Sequence, residues 1–185
     1  MPLAPPKPKR PRLNAIIVGA IAAALLIFAA FSKQWLGNPS TDIGFGPMGC
    51  TDCCNSMVTL VQDTHCGMSN SAFVEMVRAA DPDRADEMTS GAFAPMGWVT
   101  FGLCLLAGLA LLAAAGLAYR NKRSALPVRV AWLSLVGALI TGMVFVATKP
   151  GGPGFVGVAM GFWAFSAGTV GGIVAARLLA KRHAP

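Results

Sequence analysis

Four uncharged apolar blocks punctuate the chain, from about Leu13 to Phe31, Met96 to Ala118, Val130 to Ala147 and Phe155 to Ala176. Each approaches the roughly 20 residues that cross a bilayer's hydrocarbon core, and none contains Asp, Glu, Lys or Arg. Hydrocarbon offers the backbone no hydrogen-bond partner, so blocks of this length fold as helices, and four are too few to close a barrel. The pattern predicts an all-α membrane protein, a four-transmembrane-helix bundle. Between the first two blocks, residues 32–95 break the apolar pattern and read as a small loop domain outside the membrane; residues 119–129 and 148–154 are short connections. Composition fits, with 55% of the 185 residues hydrophobic and only 12% charged, against about 25% charged in a soluble domain. A soluble enzyme, a disordered tail and a collagen-like chain are excluded.

The basic residues set the orientation. Lys7, Lys9, Arg10 and Arg12 lie in the Pro-rich arm 1–12, Arg120, Lys122, Arg123 and Arg129 in or beside the 119–129 loop, and Arg177, Lys181 and Arg182 in the tail 177–185. Short cytoplasmic segments retain Lys and Arg, so both termini are expected in the cytoplasm, with the first block an uncleaved anchor. The net +7 is spread over three juxtamembrane strips, which suits the headgroups of a lipid bilayer and gives no nucleic-acid footprint. All eight acidic residues fall in the 32–95 loop, where three basic residues accompany them. The economical loops favour a bacterial inner membrane.

Ion pathways and proton relays need ionisable groups at membrane depth, and here the polar side chains are mild ones such as Thr100, Thr141, Ser166 and Thr169. Small residues recur instead at four-residue spacing: Ser134, Ala138 and Gly142 in the third block, Gly157 and Gly161, then Gly168 and Gly172 in the fourth. Small side chains let helix backbones approach closely, so these are helix-packing positions, first within the bundle and secondly toward a protein partner or a second copy. Trp35 and Trp98 stand where interfacial aromatics anchor the outer membrane boundary.

The loop holds Cys50, Cys53, Cys54 and Cys66, whereas Cys104 lies in the second block. A head this small buries little apolar area, so disulfides in an oxidising compartment would staple it. A bond between adjacent Cys53 and Cys54 is disfavoured, leaving Cys50–Cys53 with Cys54–Cys66, or Cys50–Cys54 with Cys53–Cys66. Helical spacing of Cys54, Met57, Val58 and Val61 predicts one short helix, and Phe73, Met76, Val77 and Ala80 a second, N-capped by Ser71. Asp81-Pro82-Asp83 can open a further turn toward Met88. Gln34-Trp35-Leu36 and Ile43-Gly44-Phe45 are extended in character.

Two chemistries compete with a purely structural head. Cys50-Thr51-Asp52-Cys53 has the spacing of a redox pair, with Cys54 and Cys66 as relay, although Asp52 opposes a thiolate and no basic neighbour favours one. Met48, Met57, Met68, Met76, Met88, Met96 and His65 offer soft ligands for copper, without a clustered Met motif.

Phe31-Ser32-Lys33-Gln34-Trp35, followed by Gly44-Phe45-Gly46-Pro47-Met48-Gly49-Cys50 and a later cysteine, resembles the first outer segment of claudin and peripheral-myelin-type tetraspan proteins. Pro47 stands where that family has a second Trp. The resemblance implies four spans with a long first outer loop. It also implies packing or disulfide roles for Trp35, Gly44 or Gly46, Cys50 and Cys66, and lateral self-association, adhesion or accessory-subunit work. The expectation is a non-enzymatic membrane protein with no catalytic residue, cofactor or resident metal, acting as a structural or accessory subunit.

Overall fold

A computed structural model describes residues 13–38, 42–53, 67–83, 85–122, 125–151 and 156–180. In chain order its elements are α1 (Leu13–Phe31), β1 (Leu36–Gly37), β2 (Gly44–Phe45), β3 (Gly49–Thr51), β4 (Gly67–Ser69), α2 (Asn70–Ala80), α3 (Ala85–Met88), α4 (Phe93–Tyr119), α5 (Leu126–Ala147), β5 (Gly157–Val158) and α6 (Met160–Ala180). Four helices, α1, α4, α5 and α6, are long and apolar enough to cross a membrane. α1 packs along both α4 and α6, α5 lies along α4, and the α5–α6 seam is lighter. Within the described residues, which begin at Leu13, α1 ends at Phe31 as the first apolar block does. α4 starts three residues and α5 four residues before their blocks, because Pro95 and Pro127 sit in first turns, where a missing N–H costs no intrahelical bond.

Small residues set the spacing inside this bundle. A Cβ on Gly142 would come within 2.9 Å of Phe165 Cζ, one on Gly168 within 3.0 Å of Leu26, and one on Gly172 within 3.0 Å of Leu135. Ser134 and Ala138 are buried beside them. These are close approaches within one chain, the first of the two uses expected of them. Gly157 is a correction: it belongs to the edge strand β5 and is exposed, because α6 begins only at Met160 and runs to Ala180. Hydroxyls inside the helices turn back on their own backbone, Thr100 Oγ1 donating to Met96 O at 2.7 Å and Thr169 Oγ1 to Phe165 O at 2.8 Å. That satisfies them without water.

At one end of the bundle sits a small head, and it is not all helix. Five short antiparallel strands form one sheet in the order β4-β3-β2-β1-β5. Four come from the 32–95 loop; the fifth, Gly157–Val158, comes from residues that the apolar pattern assigns to the start of the fourth block. Strands of two or three residues have too few ladder bonds to stand alone, so a fifth strand from the other connection helps complete the sheet. Cross-strand register sorts the side chains by face. Val158, Leu36, Phe45, Cys50 and Met68 form one row, and Gly157, Gly37, Gly44, Thr51 and Gly67 the other. Residues directly opposite one another point to the same face; Leu36, Phe45 and Cys50 of the first row supply core, Val158 at its edge is exposed, and the second row is nearly bare backbone.

α2 lies against the head with Phe73 and Val77 buried. Its N-cap is Ser69, whose Oγ accepts from Ala72 N at 3.2 Å, two residues before the expected Ser71. The helix predicted around Cys54–Val61 lies outside the described residues, as do His65 and most of the Asn38–Ser40 turn.

Candidate functional site

The chemistry-bearing residues of the head converge where it meets the bundle. As α1 ends, Ser32–Trp35 runs as a strap between β2 above and the start of α6 below. Ala159 N donates to Trp35 O at 2.8 Å, Gly161 N to Gln34 O at 2.7 Å, and Trp35 N to Phe45 O at 2.9 Å. Three glycines make this sandwich possible. A Cβ on Gly46 would collide with Ser32 O, one on Gly44 would lie 2.8 Å from Lys33 O, and one on Gly161 2.6 Å from both Ser32 Oγ and Trp35 Cδ1.

Trp35 is the wedge the strap delivers. Its side chain is 0% exposed, its Nε1–H donates to Ala29 O at 2.6 Å, and its ring packs 4.6 Å from Phe165, 5.9 Å from Phe145 and 6.3 Å from Phe162. The reading of Trp35 as an interfacial anchor is therefore corrected. Its indole N–H finds an acceptor on the last turn of α1 and its ring finds aromatic walls on α5 and α6, so burial satisfies both its polar and its apolar parts. Trp98, by contrast, is 44% exposed on α4.

From Trp35 a continuous series of rings climbs into the head. Phe145 stacks on Phe93 at 4.7 Å, Phe93 meets Phe45 at 5.9 Å, and Phe45 meets Phe73 of α2 at 5.0 Å. The series joins α6, α5, α4, β2 and α2. Edge-to-face and offset pairs at such separations each add about 0.5–1.5 kcal/mol beyond area burial. Asn70, also fully buried, ties the same region: its Nδ2 donates to Gly46 O at 2.9 Å and to Pro47 O at 3.1 Å, while Oδ1 has no partner. Asn70 has no signature in the sequence pattern, and the phenylalanines read only as apolar positions.

No protein-family model matches the chain, and a search of the curated proteins returns no match either. Functional argument therefore rests on this geometry.

Cys50 and Cys53 form a disulfide, spanning the turn in which Asp52 takes a left-handed φ of 54°, a conformation Asp tolerates better than most residues. The alternative Cys50–Cys54 pairing is not the one formed, and Cys54 and Cys66 lie outside the described residues. Cys50 is 0% and Cys53 1% exposed. Thiol exchange needs a sulfur open to attack, so this burial weighs against a redox relay. Met68, Met76, Met88 and Met96 pack against the core, which is a structural use for their thioethers. Replacing Cys50 and Cys53 together by Ala removes a very short closed loop, so the expected loss is about 2 kcal/mol of head stability. A denaturant titration of purified protein, with and without prior reduction, measures it; no change on substitution would mean that the bond constrains nothing.

Proposed function

We propose that the chain is a non-enzymatic integral membrane protein with both termini in the cytoplasm and the head on the opposite side. It acts as a structural or accessory subunit through the head and through lateral packing of its helices. The observation that carries this reading is the aromatic series anchored by Trp35, which uses the head's distinctive side chains to fix it on the bundle as one body. A head held this way suits presentation of a surface to a partner.

The membrane placement is supported by the distribution of aromatics and charge. Trp98 and Tyr119, both exposed on α4, lie about 31 Å apart at 1.5 Å per residue, close to the roughly 30 Å hydrocarbon core. Arg120, Lys122, Arg129 and Arg177 are exposed at the end away from the head, where Arg177 also lies 5.6 Å from the Trp132 ring. Asp42, Glu75, Asp83, Asp86 and Glu87 are exposed on the head. Retained cations and translocated acids follow this polarity.

The claudin-type resemblance is proposed as an architectural kinship. In its support, Trp35, Gly44, Gly46 and Cys50 all occupy close-packed points of the junction or the sheet. Topology is tested by fusing alkaline phosphatase, which is active only outside the cytoplasm, after Leu60 and separately after Lys122. Activity is expected from the first fusion alone; the reverse result overturns the placement. Crosslinking in native membranes, followed by identification of neighbours, tests the subunit role, and a chain that crosslinks to nothing, itself included, would reject it.

A further inference from the structure

Arg177 and Trp132 meet across the α5–α6 seam at the end of the bundle away from the head, the guanidinium carbon 5.6 Å from the ring centroid. Arg177 lies in the last turn of α6, and Trp132 within the first two turns of α5. Arg129 precedes Trp132 by three positions, which places it on the same face of α5, one turn nearer the helix end. Both arginines are exposed. Stacking on the indole occupies a face of the Arg177 guanidinium and leaves its in-plane N–H donors to seek acceptors. The chain brings no carboxylate side chain to meet them: all eight acidic residues fall between positions 42 and 87, and none lies on α4, α5 or α6.

Toward the head from these cations, the two helices carry matched apolar stripes. On α5, Val136, Leu139 and Met143 follow Trp132 on one face; on α6, Ile173, Val170 and Ser166 precede Arg177 on one face. Because Trp132 and Arg177 touch, the two stripes flank the same seam. Val136, Leu139, Met143 and Val170 are exposed. Behind them the seam is closed, Gly142 against Phe165 and Gly172 against Leu135, so the stripes form an outer track and give no passage into the core. From Trp132 to Met143 the track is about 16 Å long at 1.5 Å per residue, the depth of one leaflet in a hydrocarbon core of roughly 30 Å.

We infer that the α5–α6 seam binds one anionic phospholipid, its phosphate paired with Arg177 and Arg129 and an acyl chain laid along the track from Trp132 to Met143. Two features together select the occupant. Cations without a carboxylate of their own call for an anion, and a guanidinium takes two phosphate oxygens with parallel hydrogen bonds. The apolar track continuous with those cations calls for a hydrocarbon tail on the same molecule, which neither a free phosphate nor an acidic peptide carries; a zwitterionic lipid brings a cation of its own that the arginines repel. Basic sites between helices at this membrane face are suited to such headgroups. The inference goes beyond the subunit reading and rests only on its membrane placement.

The test uses the full-length chain, stripped of lipid in detergent, with bound lipid counted by native mass spectrometry. Dioleoyl-phosphatidylglycerol is expected to bind about tenfold more tightly than dioleoyl-phosphatidylcholine, and less tightly as ionic strength rises. Arg177→Gln should abolish that preference, and Arg129→Gln should reduce it about threefold. Arg78→Gln, which removes the same charge from the exposed face of α2, should leave it unchanged. Unfolding midpoints equal to wild type in phosphatidylcholine show that each variant is folded. Equal binding of the two lipids by wild type, or an Arg177→Gln protein that keeps the preference, overturns the inference. So does displacement of the bound phosphatidylglycerol by millimolar inorganic phosphate or by a polyglutamate peptide, since the arginines would then serve a free anion or an acidic partner segment. The phosphatase fusions judge membrane placement separately: loss of the lipid preference with the fusion pattern intact rejects the lipid site alone.

Discussion

Trp35→Ala is expected to cost about 3–5 kcal/mol of stability, the range for emptying a large buried aromatic site. The loss has three sources. The indole's contacts with Phe145, Phe162 and Phe165 vanish, and the cavity left behind cannot collapse readily, because its walls are carried by two helices already spaced by Gly142 and Gly161. Ala29 O also loses its donor. Trp35→Phe separates these contributions: it retains most of the ring and forfeits the N–H, for which about 1 kcal/mol is expected. Unfolding titrations of the three proteins in the same detergent measure both. A Trp35→Ala protein within 1 kcal/mol of wild type would show that the ring only fills space at the surface of the junction, and the account of the head as one body with the bundle would fail.

Gly46→Ala should do comparable damage with a single added methyl group. The new Cβ meets the carbonyl oxygen of Ser32, a backbone atom held by the strap, so relief requires β2 to lift from the segment it covers. Lifting β2 disturbs the Trp35 N–H bond to Phe45 O and the Asn70 bonds to Gly46 O and Pro47 O together. Overpacking usually costs about 1–3 kcal/mol; with three buried hydrogen bonds coupled to it, a loss at or above about 3 kcal/mol is expected here. Gly157→Ala is the control, since its Cβ would meet only Gly37 O at an ordinary 3.9 Å and its effect should stay within about 0.5 kcal/mol. Protease accessibility of the head in reconstituted vesicles gives a second readout: Gly46→Ala should be cut faster than wild type and Gly157→Ala should not. Equal rates for all three would mean that β2 can shift without consequence.

Both variants act at the junction, and there sequence and structure part company. The apolar blocks declared their helices because hydrophobicity over twenty residues is a local quantity. Trp35 was misread because a Trp just beyond an apolar block has the same local signature whether it faces lipid or folds inward. Its direction was decided by Gly161 and Gly142, more than 100 positions away. Gly157 was misread for a related reason: a small residue inside an apolar run looks like helix packing until a partner strand claims it. Asn70 left no signal, because a polar residue between Ser69 and Ser71 looks exposed and only the β2–β3 turn brought over it buries it.

Sequence by itself determined the four long apolar helices, the uneven distribution of charge along the chain and the concentration of sulfur in one loop, since each depends on composition over a contiguous stretch. Tertiary structure alone decided which glycines are spacers, that Cys50 joins Cys53, and that a strand just before α6 extends the sheet begun between α1 and α2. Those outcomes depend on distances between residues far apart in the chain, and no local pattern encodes a distance across the fold.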